Sequence, residues 1–331
     1  MKAVAHTTRD IASLVDIELP KPSPAPRDLL VKVEAVSVNP VDTKRRADPA
    51  KDNAPRVLGW DAAGTVAAVG AQVTLFKPGD AVYYAGDVTR PGSNSEFHLV
   101  DERIVGKKPK TLDFAQAAAI PLTAITAWEA FFDRMKIRRE SGASVLIING
   151  AGGVGSIAVQ IAKCTGLKVI ASASRAETIA WVKALGADHV VDHRKPLRPQ
   201  LEALGYKHID YIANFSGELD AHWPAMADLV APQGAVLAIV GNREPLAMDV
   251  VRSKSASVCW ELMFTRPRFQ TPDMSEQHRL LDQVSEWLDA GKLRTTLRET
   301  LTPINAANLR KAHERLESGK MIGKLVLAGW A

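Results

Sequence analysis

The sequence predicts an α/β protein in which a doubly wound parallel sheet is combined with a separate β-rich domain. First, apolar strand patterns alternate with helical patterns from residue 144 onward, which indicates parallel strands joined by crossover helices. Second, residues 1–122 contain short β-rich runs broken by Pro and Gly, with few long helical patterns. Third, a glycine-rich turn, NGAGGVG, directly follows the apolar run SVLII. Together these features favour two domains of different architecture.

The β-rich part contains two clear strand candidates. Residues 29–38, LLVKVEAVSV, alternate well enough for a strand, and residues 64–69, GTVAAV, form another run before the loop FKPGD. Frequent turns between such short runs indicate a compact, barrel-like unit. The pattern changes near Asp113, a candidate N-cap of a helical stretch that Pro121 interrupts.

Six strands are predicted in the alternating part, and this number fits a complete Rossmann fold, the doubly wound sheet of dinucleotide-binding proteins. The predicted strands are residues 144–149, 168–173, 189–192, 209–214, 235–240 and 257–264. Because each strand is apolar, the sheet is expected to be covered by helices.

The C-terminal part is predicted to be helical and then to close as the strand KLVLAG. Residues 275–293 place Leu and Val on one stripe, which Gly291 ends. We expect this tail to rejoin the first domain. The predicted domains are then residues 1–122 with 266–331, and residues 123–265.

The glycine-rich turn has the spacing of a dinucleotide-binding motif, G-x-G-x-x-G. Gly150 would permit the sharp turn, Gly152 would let the backbone approach a pyrophosphate, and Gly155 would let the helix pack on the strand. The helix that follows offers free N–H groups and a positive dipole end. Gly153 and Val154 complete the predicted cradle. The alternative is a tight strand-to-helix turn with no ligand.

The end of the second predicted strand decides between the two nicotinamide dinucleotides. Enzymes that use NAD usually place Asp or Glu there, about 20 residues after the glycines, to bind the ribose 2′-hydroxyl. This chain has Ser174 and Arg175, with no acid until Glu177. A guanidinium pairs with a 2′-phosphate that a carboxylate would repel, so the sequence favours NADPH. The alternative is an exposed Arg that merely opens a helix.

Composition restricts the functional class only broadly. A net charge of +5 and scattered basic residues suit an anionic ligand and do not imply nucleic acid. Two distant cysteines, Cys164 and Cys259, exclude a disulfide framework and are expected to be buried, reduced thiols. The sequence contains neither a signal-peptide core nor an 18-residue apolar run. We therefore expect a cytoplasmic protein without membrane partners.

The glycine turn, taken together with SVNPVDTKRR and VLGWDAAG in the β-rich part, resembles the medium-chain dehydrogenase/reductase superfamily. Within it, the chain is most similar to the quinone oxidoreductase-like branch, whose members are often called zinc-type alcohol dehydrogenase-like proteins. The resemblance implies a GroES-like β-rich catalytic domain beside the Rossmann domain. Where zinc alcohol dehydrogenases have a cysteine ligand and Gly-His-Glu, this chain has Asn39 and Gly59-Trp60-Asp61. No third cysteine ligand or four-cysteine lobe is present, so we expect no zinc.

The resemblance also implies residues near the reacting atoms. Asn39 would face the nicotinamide and donate its amide to the acceptor's carbonyl oxygen, while Asp42 anchors the loop. Thr126 matches a threonine near the nicotinamide of related reductases. Trp60 and Tyr84 would be walls of the substrate pocket, although aromatic residues in a β-rich domain are more often core.

The remaining candidates concern the dinucleotide. His193 occupies a position where relatives carry a tyrosine near the adenosine phosphate, and a solvated loop histidine is the alternative. Val240 and Gly241 would line the nicotinamide ribose, and Lys324 would approach the phosphates. His98 is expected to be a surface residue of a strand.

The sequence thus predicts an NADPH-dependent, zinc-free reductase that transfers hydride to a quinone or an α,β-unsaturated carbonyl compound, a small electrophile. A zinc alcohol dehydrogenase of simple alcohols and a crystallin-like nucleotide-binding protein without activity are the alternatives. By resemblance we expect a homodimer that pairs through residues 257–264, unless the tail covers that edge.

Overall fold

The computed structural model describes residues 1–48 and 54–330 of the chain. It divides into two compact units. The first unit consists of Met1–Ile125 and Phe264–Ala331, and the second consists of Thr126–Met263.

The N-terminal segment of the first unit is mostly short strands. The strands are β1 (Lys2–His6), β2 (Val15–Glu18), β3 (Asp28–Ser37), β4 (Arg56–Val57), β5 (Ala62–Val69), β6 (Ala81–Tyr84), β7 (Phe97–Asp101) and β8 (Val105–Lys107). The helices are α1 (Pro40–Ala47) and α2 (Phe114–Ala118), and α3 (Pro121–Trp128) begins in this unit and ends in the second. Asp113 caps α2 as predicted, because its side chain accepts a hydrogen bond from the Gln116 backbone N–H at 2.7 Å.

The second unit alternates strands and helices. Its strands are β9 (Ser144–Ile148), β10 (Lys168–Ser172), β11 (His189–Val191), β12 (Ile209–Asn214), β13 (Val230–Ala238) and β14 (Ser257–Trp260). Its helices are α4 (Gly153–Cys164), α5 (Ala176–Ala184), α6 (Leu197–Ala203), α7 (Leu219–Leu229) and α8 (Asp249–Ser253). The last strand ends at Trp260, four residues earlier than its apolar sequence predicted.

These strands form one parallel sheet in the order β11-β10-β9-β12-β13-β14. The doubly wound parallel sheet is therefore confirmed. The order reverses at β9, whose five residues are all buried. In such sheets, ligands bind beyond the carboxyl ends of the strands at the point of reversal. The glycine turn follows β9 and lies at that point.

The C-terminal segment returns to the first unit. Its elements are α9 (Thr265–Phe269), α10 (Glu276–Asp289), β15 (Leu297–Leu301), α11 (Ala306–Glu317) and β16 (Lys324–Ala328). Strand β16 pairs antiparallel with β3, with Val326 opposite Ser37. The resulting sheet has the order β15-β16-β3-β5-β6-β8, with β7 also paired to β3. A smaller sheet has the order β2-β1-β4.

The expectation of two buried cysteines is wrong for Cys164. This residue ends α4 and is exposed, Cys259 in β14 is only half-buried, and neither of the two is in a disulfide. A helix terminus turns towards solvent even where the preceding residues are apolar, which explains the difference. None of the described helices is both long and apolar enough to cross a membrane.

Candidate functional site

The glycine turn between β9 and α4 is held by close backbone packing. Asn149 takes the left-handed conformation at the turn, with φ of 62°, and its side-chain amide donates to the Phe215 carbonyl at 3.1 Å. A Cβ added at Gly155 would lie 2.1 Å from the Asn149 carbonyl oxygen. One added at Gly150 would lie 2.9 Å from the Ala171 Cβ. The sharp turn is therefore made by Asn149, and not by Gly150 as the motif suggested, because Gly150 is needed for packing.

The amino end of α4 is suited to an anion. Gly152 occupies the N-cap position with an extended backbone, and no side chain caps the helix there. The first-turn amides of any helix lack an intrahelical acceptor, and the helix dipole adds positive potential at this end. Gly153 and Val154 open the helix and are partly exposed. A Cβ at Gly152 would lie 2.6 Å from the Asn149 side-chain nitrogen. The close packing of Asn149 against the turn therefore requires glycine at position 152.

Ser172, the last residue of β10, connects the glycine turn to the neighbouring strand end. Its hydroxyl oxygen accepts a hydrogen bond from the Asn149 backbone N–H at 2.9 Å and lies 3.1 Å from His193 Nδ1, while its carbonyl accepts the Gly150 backbone N–H at 3.1 Å. The His193 ring also lies edge-on to His222 on α7, with centroids 6.4 Å apart. Burial lowers the pKa of both histidines. His193 is thus a half-buried part of this edge and not a freely solvated loop residue.

Ser174 and Arg175, the residues predicted to select the coenzyme, lie just beyond the end of β10. Ser174 is half-buried, and Arg175 is exposed at the N-cap of α5. The guanidinium of Arg194, in the loop after β11, donates to the Ser174 carbonyl. Arg194 was not among the residues predicted from the sequence, and the pairing of β10 with β11 brings it to this place.

The other predicted residues of the second unit lie at separate places. Thr126 is buried, with 5% of its surface exposed. Val240 and Gly241 follow the carboxyl end of β13, where Val240 is half-buried and Gly241 is exposed. A Cβ at Gly241 would meet no atom within 4 Å, so the backbone there is open.

In the first unit, Asn39 and Asp42 fix the start of α1. The Asn39 backbone amide donates to Asp42 Oδ2 at 2.7 Å, so Asp42 anchors the loop in the way the sequence implied. Burial raises the pKa of Asp42 to about 7, although the Asn39 hydrogen bond and the Lys324 charge favour the ionised form.

The Asn39 side chain belongs to a closed polar cluster with Asp61 and Lys324. Its amide nitrogen donates to Asp61 Oδ2 at 3.1 Å and to the Ser37 carbonyl at 3.3 Å. The Lys324 ammonium lies 3.1 Å from Asp61 Oδ2, donates to the Val38 carbonyl at 2.9 Å, and also donates to Asn39 Oδ1. Since an ammonium can only donate, it fixes the amide with the oxygen towards Lys324.

Two predicted roles need correction here. Both amide hydrogens of Asn39 are used within the first unit, so this side chain does not offer a donor to an acceptor's carbonyl oxygen. Lys324 is 2% exposed and its ammonium binds the cluster, so it does not act as a phosphate ligand. Burial lowers the pKa of Lys324 and raises that of Asp61, and the contact between them opposes both shifts.

The predicted pocket walls are core residues of the first unit. Trp60 is 2% exposed and donates its indole N–H to the Asp87 carbonyl at 3.0 Å. Tyr84 is fully buried, stacks on His98 at 5.5 Å, and has its hydroxyl 3.1 Å from His98 Nδ1. The prediction of His98 as a surface residue is wrong, because it faces inward between β6 and the Pro91 carbonyl.

Comparisons with known proteins identify the family. Residues 25–110 match the alcohol dehydrogenase GroES-like domain, and residues 185–327 match the family described as zinc-binding dehydrogenase. A zinc-type alcohol dehydrogenase-like protein of Staphylococcus aureus strain MSSA476 is 45% identical over 93% of this chain and 92% of its own length. The chain belongs to the medium-chain dehydrogenase/reductase superfamily. It falls in the quinone oxidoreductase-like branch, which confirms the resemblance seen in the sequence.

Three further proteins extend the comparison. A Rhizobium etli CFN 42 protein, provisionally named a zinc-dependent alcohol dehydrogenase, has a structure with 56% identity and a TM-score of 0.95, covering 100% of this chain and 98% of its own. The 2-methylene-furan-3-one reductase of Solanum lycopersicum is 31% identical over 99% of this chain and 79% of its own length. A mycobacterial structure complexed with NADPH has 26% identity and a TM-score of 0.85, covering 99% and 100% of the two chains. The family is one of oxidoreductases, and a GroES-like and a Rossmann-like domain are shared.

The zinc in several of these names does not fit the side chains of this chain. Among residues 1–48 and 54–330, no group of three or more His, Cys, Asp or Glu side chains is placed to hold a metal ion. By the sequence resemblance, Asn39 and Trp60 replace a cysteine and a histidine that bind zinc in zinc alcohol dehydrogenases. The Lys324 ammonium binds the Asn39 and Asp61 oxygens, so a cation already occupies the oxygens that remain.

Proposed function

We propose that this protein is an NADPH-dependent reductase that transfers hydride to a quinone or an α,β-unsaturated carbonyl compound without a metal ion. The observation that carries the proposal is the edge of the Rossmann sheet. There, a glycine turn with an uncapped helix end adjoins Ser174 and Arg175, and the chain has no Asp or Glu after β10 until Glu177. The names of the tomato reductase and of the NADPH complex give independent support.

NADPH, when bound, supplies the hydride that reduces the acceptor. The first-turn amides of Gly153, Val154 and Gly155 would bind its pyrophosphate, and Arg175 would pair with its 2′-phosphate. Thr126 would contact the nicotinamide, and Val240 and Gly241 would line its ribose. His193 would contact the adenosine phosphate through the ring edge that Ser172 leaves open.

The chain's own contribution to the reaction is then mainly positioning. We assign no side chain as the proton donor to the acceptor. The Tyr84 hydroxyl is buried and already paired with His98. Water would supply the proton, which is sufficient for electron-poor acceptors that need little activation. The buried cluster of Asn39, Asp61 and Lys324 would shape the first unit without entering the reaction.

A homodimer in the cytoplasm completes the proposal. Strand β14 lies at the edge of the parallel sheet, and Trp260 and Leu262 beside it are 47% and 48% exposed. An apolar sheet edge invites pairing with a second copy.

The zinc alcohol dehydrogenase alternative is favoured by the names of relatives, but it requires ligands that the described residues lack. A nucleotide-binding protein without activity is the other alternative. It would bind NADPH and turn over no acceptor.

One experiment separates the three functions. The purified protein is assayed with NADPH and with NADH against a panel of small quinones, enones and simple alcohols, and its zinc content is measured on the same sample. The proposal expects NADPH oxidation with quinones or enones at less than about 0.1 zinc per chain, unchanged by a chelator. Stoichiometric zinc with alcohol oxidation would overturn it in favour of the dehydrogenase. Tight NADPH binding without turnover of any acceptor would leave only the binding role.

A further inference from the structure

The ends of β10 and β11 form one continuous polar edge in the second unit. The two strands are parallel neighbours, and the Ala173 amide donates to the Val191 carbonyl at 2.9 Å just beyond them. The Ser172 hydroxyl lies 3.1 Å from His193 Nδ1, so the loops remain joined for two further residues. A ligand that reaches Ser174 therefore also meets the loop that follows β11.

Arg194 extends across this junction. Its Nη2 donates to the Ser174 carbonyl, and its Nε lies 3.4 Å from Asp192 Oδ1. The side chain is still 61% exposed. A guanidinium has five N–H donors, so these two contacts hold it in place and leave further donors facing solvent.

The charge around this position favours a doubly charged anion. A phosphate monoester carries nearly two negative charges at neutral pH, and one guanidinium balances only one of them. Arg175 and Arg194 supply two cations from neighbouring loops, with Lys195 close by in sequence. Asp192, which also accepts the Arg194 amide at 3.0 Å, offsets one of these charges and orients the guanidinium.

We infer that Arg194 is a second ligand of the coenzyme's 2′-phosphate and, with Arg175, determines the preference for NADPH. This inference rests on the proposed function and specifies which part of the chain reads the extra phosphate. The alternative is that Arg194 only ties the β11 loop to Ser174. That role would affect every adenine nucleotide equally.

The test uses two probes that differ only in the 2′-phosphate, adenosine 2′,5′-bisphosphate and 5′-AMP. Their dissociation constants are measured by calorimetry on the full-length protein at fixed ionic strength. For Arg194→Gln we expect binding of the bisphosphate to weaken by about tenfold or more and binding of 5′-AMP to change by less than about twofold. Arg194→Lys should recover part of the loss, since it restores charge but not the fork of donors.

Arg198→Gln is the matched control, because Arg198 lies on the nearby α6 and is paired with Asp228 at 2.6 Å. Equal weakening of both probes in Arg194→Gln, or no change in either, would overturn the inference while leaving the proposed function intact. If the unmodified protein binds both probes equally, the NADPH preference itself fails, and the inference fails with it.

Discussion

Two groups of charged side chains, one in each unit, differ in burial and in hydrogen bonding. The edge after β10 and β11 holds two exposed cations, Arg175 and Arg194, and further guanidinium donors of Arg194 face solvent. The cluster of Asn39, Asp61 and Lys324 is buried, and its donors and acceptors are paired with one another and with nearby backbone groups. An anion could approach the first group with little rearrangement, whereas a new ligand of the second group would have to break an existing buried contact. Burial of charge therefore accompanies a structural role in the first unit, whereas the exposed charge of the second unit is where we propose that the coenzyme binds.

The cost of burial explains this division. A carboxylate and an ammonium in the protein interior are tolerable only as a pair with further hydrogen bonds, and removal of one partner leaves the other uncompensated. Exposed cations carry no such penalty, so their substitution should affect binding and spare stability.

Lys324→Met should give the largest loss of stability. It leaves Asp61 and Asp42 buried without their cation, which costs about 3–5 kcal/mol in comparable buried pairs. Chemical denaturation of the variant measures the loss. Adding Asp61→Asn should recover a large part of it, because the stranded charge is then removed. If the double variant is as unstable as the sum of the single ones, the two side chains do not act as a pair.

Acidification should destabilise the first unit through its buried histidines. Burial lowers the pKa of both His98 and His313 to about 4, so below their unfolded pKa of about 6.5 the unfolded chain binds more protons. Stability is fully present above that value and falls as the pH drops towards 4, by about 2–3 kcal/mol for His98 alone. Calorimetric melting between pH 7 and pH 5 should show a smaller decrease for His98→Gln than for the unmodified protein. His189→Gln, at a half-exposed ring, serves as control, and an equal slope in all three proteins would contradict the account.

Gly155→Ala should disturb the second unit at the glycine turn. The new Cβ would meet the Asn149 carbonyl oxygen at 2.1 Å and the Gly150 Cα at 2.7 Å, both of which are backbone atoms. Overpacking of this kind costs about 1–3 kcal/mol, and the displaced turn should also weaken coenzyme binding. Gly217→Ala is the matched control because its Cβ would meet nothing within 4 Å. Equal melting temperatures for the two variants would show that the turn has room to adjust.

Local patterns predicted the second unit well, since strand, glycine turn and helix follow one another along the chain. Local patterns could not predict which distant residues tertiary packing brings into contact. The inward position of His98 depends on Tyr84 from another strand, and the closed role of Asn39 depends on Lys324, 285 residues away. Arg194 was missed for a similar reason, because only the pairing of β10 with β11 places it beside Ser174. Contacts of this range leave no periodic signal in a single sequence.

Reversal of the charge at Arg175 tests directly whether a cation at the end of β10 selects NADPH. The measurement is the ratio of kcat/KM for NADPH and NADH, with one quinone acceptor, in the unmodified protein and in Arg175→Glu. The account predicts that kcat/KM for NADPH falls by at least about tenfold in the variant, while the value for NADH changes by less than about twofold. Melting temperatures should agree, because Arg175 is exposed. Equal losses with both coenzymes, or an unmodified protein that uses NADH as well as NADPH, would contradict the claim.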